Sequence, residues 1–292
     1  IQLINLIQPY GVLVIIRRED HSIIQISENA SEVFGVPHTD LIDTRIENHI
    51  TGKGGVDLLN NTDNQNKIPS VWEINNRPFL ALLHSYEKYF IVEFDKSPYD
   101  DSQQLLFVDV YREIKYAMSL IQSSPTIEDA ARNCAREIKR ISGFDKVMVY
   151  HFDNNWNGTV IAEQGEPDME SYLGITFPAS DIPQQARKLY EKNAYRFIPT
   201  RDYQPVRLFP VINPITGSFV DLSDCNLRSV PAVHLEYLAN INVTSSMSTR
   251  IMNGDTLWGL IACHHKTEKE LSFEVRSIFE LLSSVVSARM AS

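Results

Sequence analysis

The sequence predicts an α+β protein with two domains, each built on a mixed antiparallel sheet. Its 292 residues are more than one average domain needs, so two domains are the first expectation. Short strand-like runs flank short helical stretches in the first third, and a second set of strands is followed by an amphipathic helix. We place a first domain at 1–97, a linker and first helix at 98–125, and a second domain at 126–292.

Composition and charge restrict the partners and the compartment. The chain is 43% hydrophobic, and its formal net charge of −10 disfavours nucleic acid and anionic membranes as partners. No stretch approaches the roughly 20 apolar residues of a membrane-spanning helix. The three cysteines have no paired spacing, which is typical of free thiols in a reducing cytoplasm.

The first domain is rich in predicted strands. Residues 29–35 are predicted to form a short helix that Gly35 ends, and the polar stretch 52–67 is predicted to be a loop. Alternating or continuous apolar runs predict five strands, at 11–16, 21–27, 69–74, 79–85 and 88–95. Strands beside short helices are typical of an α+β sensory module.

The second half begins with a turn-rich linker at 97–102 and continues with apolar residues at helical spacing. Thr126 is the predicted N-cap of the next helix. Residues 200–226 are long, contain prolines and lack periodicity, and loops of this length are usually functional. The other predicted elements are strands at 146–152, 158–163 and 257–264 and a terminal helix at 271–291.

Residues 177–190 are predicted to form a proline-stiffened turn followed by a helix, with Ser180 or Asp181 as its N-cap. Pro183 disfavours the α conformation at Ile182, which leaves the backbone carbonyl of Asp181 free to bond another group. On pattern alone, a simple cap before an amphipathic helix is the commoner explanation of this stretch.

Four stretches together resemble the signature motifs of phytochromes. They are 7–11 (IQPYG), 178–183 (PASDIP), 227–238 (LRSVPAVHLEYL) and 258–265 (WGLIACHH), in family order and across nearly the whole chain. The resemblance implies a PAS domain followed by a GAF domain. It also implies a knot, in which residues near Ile7 pass through a lasso formed by about 201–231.

The resemblance further implies a red/far-red photoreceptor that binds a linear tetrapyrrole, biliverdin, in the GAF domain, with phycocyanobilin as a possible non-covalent ligand. Arg196 and Arg228 match propionate-binding positions, and Ser246 and Ser248 match further propionate contacts. A guanidinium group suits this role because it pairs bidentately with a carboxylate. The alternatives are surface salt bridges for each arginine and a solvent-facing strand for the serines.

The remaining implied contacts involve the rings. Asp181, through its carbonyl, and His234 match the partners of the ring nitrogens, and His264 matches the partner of the ring D carbonyl. Alone, each histidine would more often be an ordinary core or surface residue, and each aromatic residue a core residue. The implied walls of the pocket are Tyr150, Phe177, Tyr190, Tyr237, Ile182, Pro183 and Val233.

The chain departs from the family at the attachment site. Val233 occupies the position of the cysteine that binds phycocyanobilin in some phytochromes, and residues 1–11 contain no thiol. The cysteine that attaches biliverdin in bacteriophytochromes is therefore expected upstream of Ile1. Cys134, Cys225 and Cys263 are predicted to be core or loop thiols.

By resemblance, the implied partners are a PHY domain and a histidine kinase with its response regulator, and the terminal helix is expected to support a homodimer. The chain itself is expected to catalyse no reaction and to contain no metal site, since it lacks a nucleophile–base or metal-ligand pattern. The alternative is a PAS–GAF module that senses another small ligand, such as a cyclic nucleotide or haem. A visible absorption spectrum separates these two hypotheses.

Overall fold

A computed structural model divides the chain into two compact units. Unit 1 contains Ile1–Gln104 and Tyr203–Pro231, and unit 2 contains Leu105–Asp202 and Ala232–Ser292. The residues that the structure describes are 5–52, 54–60, 67–97 and 107–291. Most of the predicted linker at 97–102 lies outside these residues. Segment 203–231 thus belongs to the same unit as the first hundred residues.

Unit 1 is built on a seven-stranded sheet in the order β1-β11-β3-β2-β6-β5-β4. All neighbouring strands in it are antiparallel. The strands are β1 (Leu6–Ile7), β2 (Gly11–Arg17), β3 (Ile23–Ser27), β4 (Ile68–Ile74), β5 (Arg77–Ser85), β6 (Tyr89–Asp95) and β11 (Val206–Phe209). The five strands predicted in this region are therefore confirmed, within two residues at each end.

Strand β2 is buried on both faces, which explains why its sequence is continuously apolar. Val12 and Val14 pack in one core cluster with Trp72, whereas Leu13 and Ile15 pack in a second cluster on the other side. Successive side chains of a strand project to opposite faces, so a strand buried on both faces loses the polar half of the alternation.

The described part of unit 1 also contains three short α-helices, and one of them corrects a prediction. They are α1 (Ser31–Phe34), α2 (His38–Leu41) and α3 (Gly54–Asn60). The stretch predicted as a loop at 52–67 contains α3, whose Leu59 is fully buried in the core. Burial against the sheet stabilises a helix that composition alone does not predict.

The N-terminal strand β1 lies between two parts of segment 203–231. On one side, Leu6 and Ile7 pair with β11. On the other, Gln8 N–H donates to the Leu227 carbonyl at 2.7 Å, and Ser229 N–H donates to the Leu6 carbonyl at 3.0 Å. Both edges of the strand are thus bonded to one loop, which supports the implied knot, although passage through a closed loop remains a prediction.

Unit 2 is built on a six-stranded antiparallel sheet in the order β10-β12-β13-β7-β8-β9. Its strands are β7 (Lys146–Phe152), β8 (Gly158–Gly165), β9 (Thr176–Phe177), β10 (Tyr195–Ile198), β12 (Ser245–Asn253) and β13 (Thr256–His265). Its helices are α4 (Phe107–Gln122), α5 (Ile127–Ser142), α6 (Gln184–Lys192), α7 (Ala232–Asn240) and α8 (Phe273–Met290). The predicted α+β class is therefore confirmed in both units.

Helices α5 and α8 cover one face of this sheet. The predicted cap of α5 is confirmed, because Asp129 N–H donates to the Thr126 hydroxyl at 3.0 Å. Val149, Met247 and Ile261 on the covered face are fully buried. Within the described residues, no helix is both long enough and apolar enough to span a membrane.

Candidate functional site

The strand register of unit 2 gathers polar side chains on the face opposite α5 and α8. Ser248 is paired with Arg196 on β10, and Ser246 is paired with His264 on β13. Tyr150 on β7 is paired with Leu260, which is four positions before His264 on β13. Paired residues share a face, as do residues two apart on a strand, so these five side chains lie on one side of the sheet.

Arg196 and His234 form a close polar pair above this face. The Arg196 Nη2 atom is 2.8 Å from His234 Nε2. Arginine stays protonated, so His234 accepts this bond as a neutral imidazole. Burial, then the charge of Arg196 and His264, lower the pKa of His234 to about 2. Among the described residues, Arg196 Nε is buried without a hydrogen-bond partner, so this cation has a donor to spare.

His264 and the two serines are buried, not solvent-facing. His264 is 7% exposed, Ser246 4% and Ser248 8%. Burial and the charge of Lys146 lower the pKa of His264 to about 4, so its ring is neutral at pH 7. A neutral imidazole can donate one hydrogen bond and accept another.

Aromatic rings from several elements surround the polar group. The Tyr150 ring lies 6.3 Å from the Phe177 ring, and His234 stacks with Tyr237 at 6.0 Å between ring centroids. Burial, then the charges of Asp181 and Tyr237, raise the pKa of Tyr150 to about 12. Asp181 and Tyr237 therefore lie near the Tyr150 hydroxyl.

Gly158, the first residue of the predicted strand 158–163, makes room for Tyr150. A Cβ atom placed on Gly158 would lie 1.8 Å from the Tyr150 ring. Any other residue at 158 would displace the ring. This requirement follows from the pairing of β7 with β8, which no local pattern reveals.

The turn at 178–183 is held differently from the prediction. Ala179–Asp181 form a 3-10 turn, α6 begins after Pro183, and neither Ser180 nor Asp181 caps it, so the predicted cap is wrong. Pro183 excludes Ile182 from the helix, so α6 starts beyond the reach of both side chains.

Two residues outside the turn fix it instead. Ala179 N–H donates to the Asn157 side-chain oxygen at 3.1 Å, and the Arg187 guanidinium donates to the Ile182 carbonyl at 2.7 Å. The carboxylate-bearing segment is therefore positioned from both ends, and the sequence analysis identified neither anchor.

A second group that the sequence analysis missed lies behind Phe177. Lys146 is 2% exposed, with its ammonium 3.7 Å from the Glu163 carboxylate and 3.9 Å from the centre of the Tyr172 ring. Tyr172 meets Phe177 edge-on, with ring centroids 5.8 Å apart. The available sequence signal was a lysine directly before the apolar run Val147–Val149.

The other predicted wall residues differ in burial. Tyr190 is buried in a small apolar cluster with Phe152, against which Ile182 and Tyr150 pack. Pro183 is exposed, and Val233 is 74% exposed at the start of α7.

Comparisons with known proteins match both units. Family models match a PAS fold at residues 1–97 and a GAF domain at 126–290. Cyanobacterial phytochrome B of Nostoc sp. is 39% identical over 98% of this chain, which covers 39% of that protein. A bacteriophytochrome of Xanthomonas campestris pv. campestris is 37% identical over 98% of this chain, which covers 45% of it.

The chain belongs to the phytochrome family. Its structure is similar to the chromophore-binding domain of a Stigmatella aurantiaca bacteriophytochrome, with a TM-score of 0.90, 33% identity and coverage of 100% of this chain and 97% of that chain. The chromophore-binding domain of an unusual bacteriophytochrome from R. palustris gives a TM-score of 0.89 at 33% identity, with coverage of 99% and 95%. This phytochrome chain spans less than half the length of the two curated relatives above.

One residue implied by the phytochrome motifs lies in the other unit. Arg228 belongs to unit 1, where it is 7% exposed and forms a β-bridge with Ile7. Its role as a propionate ligand therefore remains a prediction. The cysteines Cys134, Cys225 and Cys263 are buried free thiols, as predicted.

Proposed function

We propose that this chain binds a bilin on the polar face of the unit 2 sheet and acts as a red/far-red photoreceptor. The half-buried Arg196, whose Nε atom is buried without a partner among the described residues, carries the proposal. A buried cationic donor of this kind needs an acceptor, and a carboxylate is its best one. The two propionates of a linear tetrapyrrole are acceptors of this class.

Each neighbouring group has a role in this proposal. Arg196 pairs with a propionate, and the hydroxyls of Ser246 and Ser248 donate to the same acid group. Once Arg196 is so engaged, His234 Nε2 becomes available to a ring nitrogen or a bridging water. His264, neutral at pH 7, donates to a ring carbonyl.

Asp181 contributes through its backbone. Its carbonyl lies in the 3-10 turn before α6, outside the helical ladder. It is therefore suited to accept hydrogen bonds from protonated ring nitrogens, since a buried cation requires such acceptors. Tyr150, Phe177 and Tyr237 exclude water from one end of the site.

The bound group supplies visible absorption and a double bond that isomerises in light. The residues named above orient it and hold its protons. By resemblance, the bilin is biliverdin, and phycocyanobilin is an alternative, non-covalent ligand. The chain covers 39% and 45% of the two curated relatives, which supports a longer protein. By resemblance, that protein is a cytoplasmic homodimer whose PHY and histidine-kinase domains signal to a response regulator.

The deciding experiment is co-expression with a biliverdin source, followed by absorption spectroscopy of the purified protein. We expect a red absorption band that changes reversibly under red and far-red light. A protein that stays colourless with both biliverdin and phycocyanobilin would refute the proposal. A Soret band without a red band would favour the haem-sensor alternative.

Substitution of Arg196 tests whether this arginine binds a propionate of the bilin. Arg196→Ala should weaken bilin binding by roughly 10- to 100-fold, because a charge-assisted bond contributes about 1.5–3 kcal/mol. The control is Arg132→Ala, which removes an exposed arginine that pairs with Asp129 on α5 in the same unit. Equal bilin affinity in the two variants would exclude Arg196 as a propionate ligand.

A further inference from the structure

Unit 1 contains a buried group of metal-binding side chains that the proposed bilin site does not use. His84 is on β5, Glu93 is on β6 and Cys225 is in segment 203–231. One ligand atom from each lies within 4.8 Å of the other two. Their exposures are 3%, 6% and 3%, so all three donors point into the interior.

The fold holds these side chains together from two directions. On the paired strands β5 and β6, His84 and Glu93 are diagonal neighbours, and His84 Nε2 lies 2.6 Å from Glu93 Oε2. The second carboxylate oxygen of Glu93 accepts the Leu227 N–H at 2.7 Å. This bond fixes the loop two residues after Cys225 and brings the thiol to the pair.

We propose that His84, Glu93 and Cys225 form a zinc-binding site. One imidazole, one carboxylate and one thiolate are ligands that zinc accepts together, whereas magnesium and calcium prefer oxygen alone. Three protein ligands leave the fourth tetrahedral position for water. The hydrogen bond between His84 and Glu93 explains why these two polar side chains are buried together. It does not explain why the Cys225 thiol lies beside them.

The geometry requires only small movements. Zinc–ligand bonds of about 2.0–2.3 Å place neighbouring tetrahedral ligands roughly 3.3–3.7 Å apart. The hydrogen bond between His84 and Glu93 must therefore open by about 1 Å, while Cys225 moves closer. These are side-chain adjustments within a cluster that is already assembled.

Charge also balances on zinc uptake. Binding releases the Cys225 thiol proton, and the Glu93 carboxylate and the Cys225 thiolate together offset the two positive charges of Zn²⁺. Three further charged groups act on the Cys225 thiol: the carboxylate of Asp224 and the cationic side chains of Lys67 and Arg228.

The thiol is not reactive without the metal. Burial, then the Glu93 carboxylate, raise the pKa of Cys225 well above its usual range. A thiol that coordinates a metal ion is deprotonated outright, so zinc must displace the proton of this buried thiol. The bond from Glu93 to Leu227 N–H and the bond from zinc to Cys225 would together fix this turn of the loop.

The test uses the bilin-free chain, equilibrated with Zn²⁺ and then dialysed against metal-free buffer. We expect about one tightly bound zinc per chain by elemental analysis, and a thiolate-to-metal absorption band when Co²⁺ replaces Zn²⁺. Cys225→Ser and His84→Gln should lower zinc affinity at least tenfold. Cys263→Ser, a substitution at another buried thiol, is the matched control and should bind zinc as the unchanged chain does.

Stability separates metal binding from damage to the fold. Zinc should raise the unfolding temperature of the unchanged chain and of Cys263→Ser, but not that of Cys225→Ser. Failure of the unchanged chain to bind zinc, or zinc binding by Cys225→Ser with unchanged affinity, would overturn the proposal. If Cys225→Ser does not fold, the Co²⁺ spectrum of the unchanged chain decides, because a spectrum without a thiolate band also overturns it.

Discussion

Two histidines of unit 2, the half-buried His234 and the buried His264, make stability depend on pH. Their pKa values are lowered to about 2 and about 4, whereas an unfolded histidine titrates near 6.5. Below pH 6.5 the unfolded chain binds protons that the folded chain cannot. The free energy of unfolding therefore decreases as the pH decreases. The loss of stability begins below pH 6.5 and continues until each folded histidine titrates, near pH 4 for His264 and near pH 2 for His234.

We expect the free energy of unfolding of the bilin-free chain to decrease by up to about 1.4 kcal/mol per pH unit for each of these histidines between pH 6 and 4. His264→Gln cannot titrate and should flatten this slope. Urea unfolding at a series of pH values measures it. An equally steep slope in the variant would contradict a neutral, buried His264.

Gly158 provides a steric prediction at the aromatic site. Gly158→Ala would place a methyl group 1.8 Å from the Tyr150 ring, so we expect a loss of roughly 1–3 kcal/mol in stability and weaker bilin uptake. The control is Gly165→Ala on the same strand, where the nearest atom is the Lys146 Cγ at 3.6 Å. Equal stability of the two variants, measured by urea unfolding, would show that Tyr150 moves freely.

Asp181 provides a prediction about light-driven change. Asp181→Ala should still bind bilin, because the propionate contacts remain, but it should photoconvert poorly because the turn that presents its carbonyl is altered. Difference spectra after red and far-red illumination measure the effect. Normal cycling in this variant would remove Asp181 from the proposed mechanism.

At the scale of elements, the terminal helix α8 has less free apolar surface than its sequence pattern predicts. Ile278, Phe279 and Leu282 are buried inside unit 2. Leu281 remains 49% exposed, and Tyr116 on the neighbouring α4 is 55% exposed. Any dimer contact by α8 therefore requires help from α4.

We expect the double variant Tyr116→Ser, Leu281→Ser to weaken homodimer formation at least tenfold, because it removes two exposed apolar side chains from adjacent helices. Sedimentation velocity over a range of concentrations measures this. Leu173→Ser, which removes a 57% exposed leucine elsewhere in unit 2, serves as the control. A chain that is monomeric at high concentration before any substitution would refute the dimer.

At the scale of the whole molecule, the attachment chemistry can be tested on the chain as it stands. Val233 cannot form a thioether, residues 1–11 contain no thiol, and the three cysteines are buried. We therefore expect non-covalent bilin binding, so that denaturing electrophoresis with zinc-induced fluorescence gives no fluorescent band.

Val233→Cys offers a gain of function. Position 233 is exposed and directly precedes His234, so the new thiol should attach phycocyanobilin covalently and give a fluorescent band. Fluorescence from the unchanged chain would instead identify Cys134, Cys225 or Cys263 as the anchor.

The sequence by itself determined the fold class, most strand positions, the α5 cap and the family. These features depend on neighbours a few residues apart, as with the apolar run of β2 or Thr126 before Asp129. The family motifs also named Arg196, His234 and His264. Burial lowers the pKa of both histidines, and Arg196 Nε is left without a partner among the described residues. Their roles as bilin ligands remain predictions.

Only the tertiary structure decided which side chains meet. Helix α3, the anchors Asn157 and Arg187, the space that Gly158 leaves for Tyr150, and the cluster of His84, Glu93 and Cys225 were not predicted. Each depends on strand register or on contacts between distant residues, such as the Leu227 N–H and Glu93, which are 134 positions apart. Burial summed over several elements selects such contacts, and no local pattern of residues contains that information.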